Sequence, residues 1–407
     1  MQLNRLFSKK ISLWVLWIII VLGIYIIVQD YLNNLREKKI FEDSAKIPVE
    51  FWDEKYKDMP IKDYYKVVYV VYNGGEYSAA KYFQYAAQKK GWEIKLYYQS
   101  IVGKENEILN FDPDFIIFPL LTYTEGVDSR IKTHRSKKYY WIPMPLELIR
   151  KFEGVDKKDL LKPQGWFKHW LSFADGLIIT NVRQVDIYRQ ISNLLGKPFN
   201  AVSMLPAPPA NNYTVAEPKK IIWPEAGWDQ FRSSKKYKRF ISLLSQNVPM
   251  RVYGHYKNLL YLPAGIYGGY IPHGLDNITA IRKNGIYLLT HSKEHFESNF
   301  PSMRPFEAAA SNVITISDMH PFIIEHFGDS MLYFDQNASA EEMYTQVKKH
   351  VDWILANPDK AKEKAKLAHK IFLEKFTVDK DLIRIAKMHE YILKQEKNMS
   401  LDYNLVY

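Results

Sequence analysis

The alternation of apolar and polar positions changes character several times along the chain. Residues 11–28, ISLWVLWIIIVLGIYIIV, carry no charge over eighteen positions. At about 1.5 Å per residue, a helix of that run nearly crosses a bilayer core of about 30 Å. Trp14, Trp17 and Tyr25 suit the two interfaces. No small-residue cleavage site follows, and the run is long for the apolar part of a signal peptide, so a retained single-pass anchor is expected. Residues 29–65 are polar and aperiodic, and read as a stalk or linker. From position 66 short β-branched and aromatic runs predict strands at 66–72, 92–98, 111–121, 137–145 and 174–181, with helices at 77–90 and 182–195. A Pro-rich segment, 204–218, interrupts the pattern as an interdomain linker would. The alternation then restarts, with strands at 219–224, 249–254, 285–292, 312–318 and 331–335. Helices are predicted at 236–246, 276–283, 304–311, 340–355, 358–375 and 382–397.

Strand and helix in alternation predict parallel sheets covered on both faces, hence an α/β protein. The boundaries give a transmembrane helix at 11–28, a stalk at 29–65, one Rossmann-like domain at 66–205, a second at 219–375 and a closing helix at 376–397. Ligands of such sheets bind at the carboxyl ends of the strands.

Composition narrows the chemistry. The 407 residues include no cysteine, which removes disulfides, thiolate metal sites and a Cys nucleophile. Fifty-six Lys and Arg against 45 Asp and Glu give a net charge of +11, which favours anionic partners. No helix-turn-helix, zinc-finger or RNP pattern accompanies that charge, so nucleic acid is not the expected anion. Two basic stretches, 130–138 and 150–168, lie in the first domain. The second runs into Trp166 and Trp170, a composition suited to an anionic leaflet or to a solvated helix with inward aromatics. Lys and Arg flank the apolar run almost equally, so orientation stays open.

Catalytic motifs are sparse. The eleven His show no close metal-ligand spacing, and no G-x-S-x-G elbow is present. Asp112-Pro113-Asp114 imitates the Asp-x-Asp of metal-dependent sugar transferases, but at the start of a buried run it reads better as a turn into the strand. No metal is expected. Asn73-Gly74-Gly75 lacks the full dinucleotide fingerprint. His134, His255, His273 and His291 fall in loops or at strand ends, and His134 is the candidate base.

The stretch PSMRPFEAAASNVITISD (301–318), the spaced FIIEHFGDSMLYFD (322–335), RVYGH (251–255) and the run 270–292 together resemble the donor-binding domain of GT-B glycosyltransferases. The likeness is greatest to the group-1 and spore-maturation-protein-like branch. The resemblance implies two Rossmann-like domains facing a cleft, and a nucleotide-sugar as co-substrate with no further cofactor. It implies that Ser302 and Arg304 meet the donor, Arg304 at its diphosphate, and that Glu307 accepts the ribose hydroxyls. Carboxylate-to-diol pairing is strong and geometrically fixed. It also implies a phosphate-facing loop at 224–239, with Gly227, Arg232, Lys235 and Lys236 as candidates. Many relatives carry a first Glu eight positions before the second; here Asn299 occupies that place. The resemblance therefore implies a transferase moving a sugar to a glycan or glycolipid at a membrane. A catalytically silent tethered protein and a polyol-phosphate transferase of the same fold are the alternatives.

Overall fold

The structure, a computed structural model, describes residues 17, 18, 20–29, 31, 32, 54–71, 75–98, 101–119, 129–142, 172–180, 185, 188, 189, 192, 195–225, 229–271 and 273–405. They fall in two compact units, Met1–Phe51 and Trp52–Tyr407. In the first, residues 20–29 are helical and their apolar side chains, Ile24, Ile26 and Ile27 among them, are exposed. Among the described residues no helix is long and apolar enough to cross a membrane. Residues 11–16 and 19 of the expected span lie outside them, as do Trp166 and Trp170.

The second unit contains two parallel sheets. The first is built from β1 (Lys66–Val71), α1 (Gly75–Lys89), β2 (Glu93–Tyr98), α2 (Glu105–Phe111), β3 (Phe115–Pro119), α3 (Ser129–Thr133), β4 (Lys137–Ile142), β5 (Gly176–Ile179) and β6 (Ala201–Ser203). Its strand order is β2-β1-β3-β4-β5-β6. Next come β7 (Lys220–Pro224), α4 (Lys235–Asn247), β8 (Met250–Tyr253), α5 (Leu275–Asn284), β9 (Gly285–Leu289), α6 (Lys293–Glu297), α7 (Arg304–Ala310), β10 (Ile314–Asp318), α8 (Pro321–Phe327) and β11 (Leu332–Phe334). These form a sheet of order β11-β10-β9-β7-β8. Three long helices close the chain: α9 (Ala340–Ala356), α10 (Pro358–Lys375) and α11 (Val378–Leu405).

Both sheets start in the middle, move one strand outward, then reverse. Each has a point where the order switches, between β1 and β3 and between β7 and β9. Strands such as Phe115–Pro119 and Gly285–Leu289 are buried at every position. That is why the sequence reads there as continuous apolar runs rather than alternation. Local signals agree with the elements. Ser234 caps α4 by accepting from the Tyr237 N–H, and Ser339 with Glu342 makes a full capping box on α9. Gly285 joins α5 to β9 at φ +83, and a Cβ there would sit 1.8 Å from the Glu217 carbonyl oxygen, so only glycine fits.

Several expectations shift. The strand predicted at 111–121 is two elements. Phe111 ends α2, Asp112 takes a left-handed backbone (φ 52) that caps it, and β3 begins at Phe115. The helix is only seven residues long, so its period was too short to show. β6 and α3 were not expected at all, being three and five residues long. Residues 54–65, expected in the stalk, pack into the body. Tyr56 and Tyr65 are buried, and Tyr65 donates its hydroxyl to Glu390 on α11. The Pro-rich segment is also held in place: the Ala210 N–H donates to Asp379 and the Ala216 N–H to the Asn312 carbonyl. The closing helix is longer than predicted and returns to the first sheet. His389 lies 2.8 Å from the Tyr139 hydroxyl, and Glu396 pairs with Lys137 at 2.5 Å.

Candidate active site

In doubly wound sheets ligands sit at the carboxyl ends of the strands, where the order switches. In the second sheet that position is the β7/β9 switch, and Thr290, just past the end of β9, is its centre. The Trp223 indole N–H donates to the Thr290 hydroxyl at 3.1 Å. Its carbonyl accepts from two guanidinium groups, Arg232 Nη1 at 3.2 Å and Arg304 Nη1 at 3.3 Å. Arg232 is buried and ion-paired with Asp229. Among the described residues no carboxylate lies within ion-pair range of Arg304. Two cations thus converge on one carbonyl.

Beside them lies a buried histidine group. His291 Nδ1 is 2.8 Å from Asp318, which also accepts the His291 backbone N–H. Burial pushes the Asp318 carboxyl up to about 7, and burial with the nearby Arg232 charge pushes His291 down to about 3. The contact is therefore a hydrogen bond made by a neutral imidazole rather than an ion pair. His320 donates through Nε2 to the His295 carbonyl, and its Nδ1 accepts from the Phe322 N–H. His295 Nδ1 is 2.8 Å from the Phe300 carbonyl. With their Nδ1–H or Nε2–H so engaged, these imidazoles stay neutral and hold the 291–300 loop.

That loop carries Asn299 and Ser302. Asn299 sits at φ 47, a backbone that asparagine tolerates far better than most residues. Its Oδ1 and the Ser302 Oγ are buried without a hydrogen-bond partner. Buried polar atoms left unpaired call for a ligand or water. Glu307, one turn into α7, is buried, and burial raises its carboxyl to about 6, against the pull of hydrogen bonds from Asn277 and Tyr82. The Tyr82 hydroxyl, from α1, lies 3.0 Å from its Oε1.

The other expected residues are spread out. Lys236 reaches the Gln336 carbonyl at 2.8 Å, at the same edge of the sheet, while Lys235 is exposed at the start of α4. Gly227 lies outside the described residues. His134 does not join the group. It precedes β4, at the amino edge of the first sheet, 2.7 Å from the Ser136 hydroxyl and 3.4 Å from Asp112. Sequence position placed it in a loop; strand direction places that loop at the end opposite to ligand sites. Asp112 and Asp114 likewise serve strand starts: Asp112 pairs with Arg135, and Asp114 accepts from the Lys66 N–H at 2.8 Å. Among the described residues no group of three His, Asp or Glu could hold a metal ion. Sequence reasoning passed over Thr290, Asp229, Asp318 and Tyr82. Only position, past a strand end or on a facing helix, marks them.

Residues 232–387 match the family model described as glycosyl transferase-like. No curated protein sequence matches the chain. Among solved structures it is similar to sucrose-phosphate synthase from Thermosynechococcus elongatus, at 11% identity over 84% of this chain and 100% of that one, with a TM-score of 0.51. It is also similar to Anabaena HepE in complex with UDP-glucose (11% identity, 82% and 100% covered, TM-score 0.47). A glycosyltransferase from Rickettsia africae aligns at 11% identity over 82% and 100%, with a TM-score of 0.45. The first of these likenesses establishes the shared two-sheet fold. Residues 232–387 are accordingly similar to the glycosyl transferase-like family, and the chain shares the fold of that sucrose-phosphate synthase. The match does not extend to the narrower spore-maturation-protein-like branch.

Proposed function

We propose that the protein transfers a sugar from a nucleoside-diphosphate donor, bound at the β7/β9 switch, to a glycan or glycolipid at a membrane. The observation that carries this is the pair of guanidinium groups, Arg232 and Arg304, converging on the Thr290 carbonyl at the carboxyl end of β9. A diphosphate would meet both cations there, and preformed cations suit a leaving group that gains charge in the transition state. Glu307 holds the ribose, and Ser302 with Asn299 offers the unpaired polar atoms to the donor's sugar end. In the reaction the acceptor oxygen bonds to the anomeric carbon. The bond from that carbon to the phosphate oxygen breaks, its electron pair stays with the diphosphate, and the acceptor's proton leaves to a base or to that phosphate. Guanidinium charge takes the part that a divalent cation plays in other transferases.

The membrane side of the reading rests on the uncharged run 11–28 and on the basic stretch ending at Trp166 and Trp170. With a nucleotide-sugar as donor, the body faces the cytoplasm in a bacterial cell. A reporter fused to the carboxyl end tests this: activity of a periplasm-only reporter would reject it.

The donor reading is tested by thermal shift of the protein with UDP, GDP, CDP and dTDP. At a ligand concentration of about 100 Kd, binding stabilises by roughly 2.7 kcal/mol, a shift of several degrees. Absence of a shift with all four would reject it. A shift without turnover on any lipid-linked or soluble glycan would favour the silent alternative.

A further inference from the structure

One helix of the first sheet holds one residue of the second sheet by both backbone groups. Ser78 and Tyr82 lie one turn apart on α1, so their hydroxyls share a face. The Gly274 N–H donates to Ser78 Oγ at 3.2 Å, and the Tyr82 hydroxyl lies 3.1 Å from the Gly274 carbonyl. Ser78 Oγ also meets His273 Nδ1 at 3.1 Å, and Tyr77 packs edge-on against that ring. Gly274 sits at φ +66, and a Cβ there would come within 3.1 Å of Lys81 Cβ, so the approach of α1 itself requires glycine.

The Tyr82 hydroxyl has a second acceptor within reach, Glu307 Oε1 at 3.0 Å. A phenol carries a single proton, so it can serve the carbonyl or the carboxylate but not both. Asn277 bonds both Tyr82 and Glu307 and does not remove that competition. The whole group is buried, so an acceptor left unserved there is costly.

We propose that Tyr82 is a positioning residue whose one proton couples donor occupancy to the grip of α1 on residues 273–275. Without donor, the proton goes to ionised Glu307 and the Gly274 carbonyl keeps only the Asn277 N–H of its own turn, at 3.1 Å. When the ribose hydroxyls donate to Glu307, the Tyr82 proton passes to Gly274 and completes the grip. The inference rests on Glu307 holding the ribose. Binding in one half thereby tightens its hold on the other.

Hydrogen exchange of the full-length protein, with and without each of UDP, GDP, CDP and dTDP, tests the coupling. In the wild type the bound nucleotide should slow exchange of the 274–278 amides about tenfold, the worth of one net hydrogen bond. Tyr82→Phe should still bind nucleotide but show no such slowing. Glu307→Gln should show slow exchange at 274–278 without any nucleotide, because its carboxamide N–H donates to the Tyr82 oxygen and leaves the phenol proton to Gly274. Nucleotide-dependent slowing that persists in Tyr82→Phe would overturn the coupling. So would Glu307→Gln exchanging at the rate of the nucleotide-free wild type. A wild type that binds none of the four nucleotides would instead reject the donor reading beneath it.

Discussion

The two sheets share one winding, yet their charged residues gather at opposite edges. In the first, Asp114 and Asp175 stand where strands begin and accept the backbone N–H groups of Lys66 and Lys138, both at 2.8 Å. His134, Asp112 and Arg135 sit at the same amino edge. In the second, Arg232, Arg304, Asp229 and Asp318 stand where strands end. The amino edge of a parallel sheet is where chains enter, and acids there tie down backbone donors. The carboxyl edge is where ligands fit. Equal topology thus sets fastening acids at the amino edge of one sheet and the charged cluster at the carboxyl edge of the other, among the described residues. What separates them is a shift of a few residues along each strand.

The largest effect expected from breaking that contrast is at Arg232. Arg232→Ala removes the cation proposed to face the phosphates and takes the ion-pair partner from buried Asp229, so it should cost ~3 kcal/mol of stability as well as donor binding. Chemical denaturation and nucleotide titration read the two separately, and a variant as stable as wild type would show that Asp229 finds another partner. Arg304→Ala has no acid to strand. It should weaken nucleotide binding by roughly 100-fold at little cost to stability, the value of a charge-assisted contact. Acid should act on the same half. On the proposed reading Glu307 binds ribose as a carboxylate, and burial raises it to about 6. Nucleotide affinity should therefore be flat above pH 6 and fall about tenfold per pH unit below it. A flat profile down to pH 5 would mean the carboxyl is not the ribose acceptor. The smallest effect belongs to the first sheet. Asp114→Ala should lower stability by about 1 kcal/mol, mostly from the lost Lys66 N–H bond with little from the exposed Lys62 pair, and leave nucleotide affinity unchanged.

The second half was the more legible in sequence because its signals are local. Arg304, Pro305 and Glu307 share one helical turn, Ser234 and Ser339 mark helix starts, and β9 and β10 are unbroken apolar runs. Where the sequence misled, the cause was length or direction. A seven-residue helix at 105–111 shows no full period, and a three-residue strand at 201–203 shows none. His134 sits in a loop, but nothing in one loop's composition says which edge of the sheet it borders. Thr290 and Tyr82 were invisible for another reason. One matters through its carbonyl, and the other through a helix more than 200 positions from Glu307.

The closing helix carries a consequence for how the protein is made. Residues 385–396 complete the first core: Ile385, Met388 and Ile392 are buried in it, His389 meets Tyr139, and Glu390 takes the Tyr65 hydroxyl. Domains generally fold as units in the order of synthesis, amino-terminal first. Here the first sheet lacks one of its walls until residues 385–396, nearly two hundred positions after β6, have emerged. The first sheet waits on that helix, whereas the second needs the chain only as far as Phe376, which packs against Phe306, Phe322 and Phe327.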